Sequence, residues 1–167
     1  KRISLSATSY TYNGKVKKPT VTVKDSRGKT IAASNYKVTY GSGRKNVGKY
    51  TVKITFKGNY AGKVTKSFKI NPKSTTISSI TPKSKGFTVK WKKKKTQTTG
   101  YQIQYSTSST FKSAKTVTVS GNATTNKKIS KLKAKKKYYV RIRTYKKVGS
   151  AKYYSSWSKA KKVTTKR

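Results

Sequence analysis

Between Lys137 and Tyr145 the chain reads Lys-Tyr-Tyr-Val-Arg-Ile-Arg-Thr-Tyr, and its apolar and basic side chains alternate with a period of two. Successive side chains of a strand point to opposite faces, whereas a helix groups residues three and four apart. The segment therefore predicts a half-buried β-strand. Tyr138, Val140 and Ile142 fall on its core face, and Tyr139, Arg141, Arg143 and Tyr145 fall on its outer face.

The rest of the chain repeats that pattern in shorter pieces. In the first part, Ile3 to Ser6, Val21 to Lys24, Lys29 to Ala33, Tyr36 to Tyr40, Lys49 to Phe56 and Lys63 to Ile70 are candidate strands. Asn13-Gly14, Asp25-Ser-Arg-Gly28, Gly41-Ser-Gly43 and Gly58-Asn59 separate them, supplying positive φ or local side-chain turns. No long helical periodicity intervenes, so the reading is all-β. Asn71-Pro72-Lys73-Ser74 marks a boundary, because proline interrupts a ladder and the segment is short and polar. Two antiparallel β-sandwich domains are expected, 1–71 and 72–167.

Charge narrows the function. Among 167 residues there are 44 Lys and Arg against a single carboxylate, Asp25, for a formal net charge of +43. Such a surface repels itself unless an anionic partner relieves it. Without His, Cys or a second carboxylate, the chain lacks the usual acid–base pair, thiol nucleophile and metal cluster. The expectation is a non-enzyme with no cofactor and no metal. No apolar run approaches the ~20 residues that span a bilayer. Neither an initiator Met nor a signal peptide is present, which suits a piece of a longer secreted chain.

Two resemblances follow from the wording of the chain. Tyr10-Thr-Tyr-Asn-Gly14, Lys18-Pro19-Thr-Val-Thr-Val-Lys-Asp25, Asn46-Val-Gly48, Lys57-Gly-Asn-Tyr60 and Phe68-Lys-Ile70 resemble an immunoglobulin-like repeat of bacterial cell-surface proteins. Asn35 stands where many members carry an acidic residue. From Thr75 onward the order resembles a fibronectin type III domain. Strand A would be Thr76 to Ile80 and strand B Gly86 to Trp91, with Phe87, Val89 and Trp91 inward. Strand C would be Gly100 to Tyr105, with Tyr101, Ile103 and Tyr105 inward. Lys115 to Val119, Asn126 to Ser130, Tyr138 to Tyr145 and Lys152 to Thr165 would be C′, E, F and G, the last holding Trp157-Ser158. Leu132 six residues before Tyr138 resembles the corner leading into strand F, where that family's tyrosine bonds backward to the chain. Together the resemblances imply a secreted or surface-anchored bacterial protein, Gram-positive in type.

Candidate sites come from the charge. Lys92, Lys93, Lys94 and Lys95 fall in the B–C loop, and Lys146 and Lys147 begin the F–G loop, at the same end of such a sandwich. On the outer face of strand F, Arg141 and Arg143 stand with Tyr139 and Tyr145 beside Gln102 and Gln104. Guanidinium forks and aromatic faces suit phosphate, sulfate or carboxylate. The same row is equally consistent with a cross-strand cation–π ladder that only stabilises the sheet. The six tyrosines of the first part, Tyr10, Tyr12, Tyr36, Tyr40, Tyr50 and Tyr60, are expected at the core or its edge, and Asp25 is expected to cap its turn.

The functional expectation is a charge-driven module for anionic polymers or surfaces: wall polymer, glycosaminoglycan or nucleic-acid backbone. Sequence-specific nucleic-acid recognition is not expected, because no helix-turn-helix, zinc finger or RNA-recognition motif is present. The alternatives are a fibronectin-type ligand of a host receptor protein and a structural spacer.

Overall fold

A computed structural model describes all 167 residues, and its regular structure is fourteen β-strands with one 3-10 turn. The chain divides into two compact units, Lys1–Asn71 and Pro72–Arg167.

In the first unit, β1 (Arg2–Leu5) pairs antiparallel with β3 (Val21–Lys24). Opposite them lie β2 (Ser9–Thr11), β4 (Tyr36–Tyr40), β5 (Gly48–Phe56) and β6 (Lys63–Asn71), in the order β2-β6-β5-β4. The alternation of Val21 and Val23, Val52, Ile54 and Phe56, and Phe68 and Ile70 puts these side chains into one core. All six tyrosines pack around its edge, which makes up for the scarcity of Leu and Phe. Tyr10 meets Phe68 edge-on at 5.6 Å between ring centroids.

Two local expectations fail here. β2 went unread because three residues are too few for an alternation to show, and it pairs parallel to β6. Lys29 to Ala33 does not form a strand. Only Thr30 bridges to Lys24, and the chain then enters the 3-10 turn Ala33–Asn35. Asp25 governs this turn: its Oδ1 accepts the N–H groups of Arg27 and Lys29, both at 2.9 Å. Ile31 is buried all the same.

The second unit packs two sheets face to face. β7 (Ile77–Lys83), β8 (Gly86–Trp91) and β11 (Asn126–Ile129) form one, in the order β11-β8-β7. The other contains β9 (Gly100–Ser106), β10 (Lys115–Ser120), β12 (Lys137–Val148), β13 (Ala151–Tyr154) and β14 (Lys161–Thr164). Its order is β10-β9-β12-β13, with β14 also on β12. Phe87, Val89 and Trp91 meet Tyr101, Ile103 and Tyr105 and then Tyr138, Val140 and Ile142 in a single cluster. Burying each such side chain contributes about 1.5–3 kcal/mol.

The corner before β12 has the expected form. Lys133 N–H donates to the Tyr138 hydroxyl at 3.3 Å, and Leu132 packs against the core.

The last strand is broken. β13 pairs with Tyr145–Val148 and β14 with Lys137–Val140, leaving the segment around Trp157 between them. There the serines replace the ladder. Ser155 N–H donates to Thr144 O at 3.1 Å and the Ser155 hydroxyl accepts Thr144 N–H at 3.1 Å. Ser158 does the same with Ile142, at 2.8 and 3.1 Å. Three residues of this segment thus advance along two of β12, and the added residue lets Trp157 project over the sheet.

Candidate functional site: the basic face of the second unit

The face of β12 that points away from the core is built on a repeated pairing. Register places Arg141 opposite Gln104 and Arg143 opposite Gln102 on β9. Arg141 Nε donates to Gln104 Oε1 at 2.8 Å, and Arg143 Nε and Nη2 both donate to Gln102 Oε1, at 2.9 and 2.7 Å. The glutamine amide groups are anchored in turn, since their Nε2 atoms donate to Thr118 and Thr116 hydroxyls on β10 at 3.3 Å.

Rings fill the spaces between the guanidinium groups. Arg141 Cζ lies 3.9 Å from the Phe111 ring centroid and 4.8 Å from that of Trp157. Arg143 Cζ lies 4.3 Å from Trp157 and 4.0 Å from Tyr154. The resulting stack runs Phe111, Arg141, Trp157, Arg143, Tyr154. Cation–π attraction is strongest where the cation has lost water, and both guanidinium groups are partly covered. Desolvation by burial lowers both their pKa values from the ordinary arginine value. For Arg143, Tyr154 opposes that shift and Arg141 adds to it.

Two expected members of the row stand elsewhere. Tyr145 is not an exposed outer residue but only 4% exposed. The cause is its register partner, Gly100, which has no side chain to hold the ring off the sheet. A Cβ on Gly100 would fall 2.9 Å from the Tyr145 ring and 2.3 Å from the Val119 carbonyl oxygen. Tyr145 also faces Tyr154 and Lys152 rather than an arginine, at 6.3 and 5.3 Å. Tyr139 points outward as expected, yet its cation is Lys162 Nζ, 5.9 Å from the ring.

The two lysine clusters are brought near one another. Lys92 to Lys95 follow β8 in a loop, and all but Lys94 are exposed. Lys146 and Lys147 do not open a loop, because β12 continues through Val148 in a hairpin with β13. Lys147 N–H donates to Thr99 Oγ1 at 3.0 Å, which sets it beside the end of the 92–99 loop. Trp91, before the cluster, is a core residue at 3% exposure whose indole N–H has no hydrogen-bond partner.

Like charges also face each other directly across strands. Lys147 pairs with Lys152, and in the first unit Lys49 pairs with Lys69; all four are exposed. Directly opposed like charges destabilise a sheet. No side-chain group on the chain assembles three metal-ligating residues, and no helix is long and apolar enough to cross a membrane.

The stack depended on Phe111 and Trp157, which sequence reasoning missed as arginine partners. Phe111 has φ 59° in an irregular loop, so no periodicity aims it. Trp157 sits in the serine-bonded break. The Trp-Ser pair was a signal that this segment was special, but not of what the ring covers.

Comparison with solved structures finds the chicken CNTN1 FN1–FN3 fragment, 22% identical with a TM-score of 0.49, covering 73% of this chain and 44% of that one. It also finds a β-1,2-glucanase from Parabacteroides distasonis, 16% identical with a TM-score of 0.43, covering 70% of this chain and 18% of that one. Comparison with curated proteins gives no match. The fibronectin type III domain model matches residues 70–161, more than half of the chain. The chain belongs to the fibronectin type III family.

Proposed function

We propose that this chain is a non-catalytic interaction module of a secreted or surface-attached bacterial protein, and that it binds anionic polymers mainly through charge. In this reading residues 1–71 are an immunoglobulin-like repeat and residues 72–167 the fibronectin type III domain. The observation that carries it is the set of lysines opposed across paired strands, Lys49 with Lys69 and Lys147 with Lys152, in a chain with one carboxylate. A fold that keeps such pairs unrelieved presents a standing field, and a polyanion laid along it gains affinity by releasing its own counterions.

The arginine stack is not the anion site in this reading. Three of its N–H groups are committed to glutamine oxygens and its cationic faces are covered by rings. It rigidifies the sheet, and the exposed lysines supply the binding.

The test is a capture experiment with teichoic-acid-type wall polymer, heparin, duplex DNA of random sequence and a panel of host surface proteins, each eluted in a salt gradient. Retention on all three polyanions, lost together as salt rises, is the expected result. Retention on one host protein with none on the polyanions would replace this reading with a receptor ligand.

A further inference from the structure

A cavity of about 320 Å³ lies beside the corner that precedes β12, and no residue of the arginine stack or of the Lys92 to Lys95 loop lines it. Lys112 reaches it from the β9–β10 connection, Lys115 from the first position of β10, and Lys131 and Lys133 from the corner. No carboxylate lines it. Its floor is Tyr105 and Tyr138, both core residues whose rings lie 6.2 Å apart.

Tyr105 is only 9% exposed as a residue, but its hydroxyl makes no hydrogen bond within the protein and is open to the cavity. Tyr138 accepts Lys133 N–H and keeps its own proton to donate. Two phenol donors therefore face the cavity. A phenol is already a donor at neutral pH, and burial with the neighbouring Tyr138 raises the Tyr105 pKa further.

The walls are pre-shaped. Ser113 and Lys131 hold left-handed backbone, with φ of 51° and 60°, and so does Phe111 in the same loop as Ser113, with φ 59°. Ser106 fixes the loop by donating its hydroxyl to Lys112 O at 2.7 Å and accepting Ser108 N–H at 3.1 Å. Phe111 pins the same loop onto Arg141.

We propose that this cavity binds one sugar ring bearing a sulfate or phosphate ester, with the lysines around the ester and the Tyr105 hydroxyl bonded to an ester or ring oxygen. The volume is at the small end of ligand pockets, about 300–1,000 Å³, which suits one ring rather than a length of polymer. Lysine ammonium groups serve as mobile point charges around such an ester. The proposal rests on the polyanion reading and adds to it a place where a single unit is recognised.

The test titrates the full chain with glucose 6-sulfate, glucose 6-phosphate, glucose and inorganic sulfate at about 150 mM salt, where exposed charges are screened beyond ~8 Å. Amide chemical shifts are the readout. Saturable shifts centred on residues 105–115 and 131–138 with an ester, and none with glucose, are expected. Tyr105→Phe, and Lys112→Gln with Lys133→Gln, should each weaken binding at least about fivefold, the loss of one or two charge-assisted bonds. Lys92→Gln with Lys93→Gln, which removes equal charge elsewhere, should leave it unchanged. Equal weakening by both lysine pairs, or inorganic sulfate binding as well as the sugar ester, would overturn the cavity. Heparin is run alongside. If heparin binds and the sugar esters do not, the cavity proposal fails and the polyanion reading stands; if neither binds, both fail. The relative affinity of the two esters identifies which anion the cavity takes.

Discussion

Arg143 grips a single oxygen of Gln102 with two N–H groups, at 2.9 and 2.7 Å, while its flat face lies between Tyr154 and Trp157. Lysine has neither the fork nor the plane needed for that arrangement. Arg143→Lys should therefore cost about 2 kcal/mol, the sum of a charged hydrogen bond and a partly desolvated cation–π contact. Urea unfolding of the variant measures it. A loss within about 0.5 kcal/mol, the size of an ordinary surface substitution, would show that the stack contributes little to stability.

Tyr138 and Tyr139 provide an internal comparison one residue apart. Tyr138→Phe keeps the buried ring but removes the acceptor of Lys133 N–H, which should cost about 1 kcal/mol. Tyr139→Phe on the outer face should cost little. Equal losses in denaturant unfolding would contradict the corner.

Lysine repulsion makes a prediction about salt. Exposed charges are screened within ~8 Å at physiological ionic strength and ~3 Å at 1 M, so the midpoint of thermal unfolding should rise with sodium chloride. Lys69→Glu places an opposite charge across from Lys49 and should stabilise the first unit by about 0.5–1 kcal/mol at low salt. A midpoint flat in salt for the parent chain would show that repulsion is a negligible cost.

Tyr40 and Tyr105 carry the alkaline prediction. Desolvation raises both pKa values above the ordinary tyrosine value, with Arg44 opposing the shift at Tyr40 and Tyr138 adding to it at Tyr105. The folded state then holds these protons more tightly than the unfolded state. Their contribution is complete below the unfolded value of about 10 and is lost as pH rises through the folded values. Tyrosinate absorbance should show late-ionising phenols, one step removed by Tyr40→Phe and another by Tyr105→Phe. A titration in which neither substitution removes a late step would contradict the burial of those hydroxyls.

How far the sequence carried differs from residue to residue. Phe87, Val89 and Trp91, and Tyr138, Val140 and Ile142, were legible because a period of two fixes a face once a strand is granted. Gln102 and Gln104 were legible as neighbours of the arginines for the same reason, since the register of two alternating strands is strongly constrained. Tyr145 was misread because its exposure depends on what stands opposite, and Gly100 is forty-five positions away in sequence. Phe111 and Trp157 were beyond reach because a left-handed loop residue and a serine-bonded break obey no period. The lysine-lined cavity combines both kinds of distance, a loop and a corner that meet only in the folded sandwich.

The most direct test of the charge-driven reading is the affinity for a short random-sequence DNA duplex measured from about 50 to 200 mM salt, for the parent chain and two double variants. One is Arg141→Gln with Arg143→Gln, the other Lys92→Gln with Lys93→Gln. The account predicts a linear fall of log affinity with log salt concentration. It also predicts that the arginine pair weakens binding no more than the lysine pair, each lowering the slope by at most about two. An affinity that does not change with salt would contradict the account.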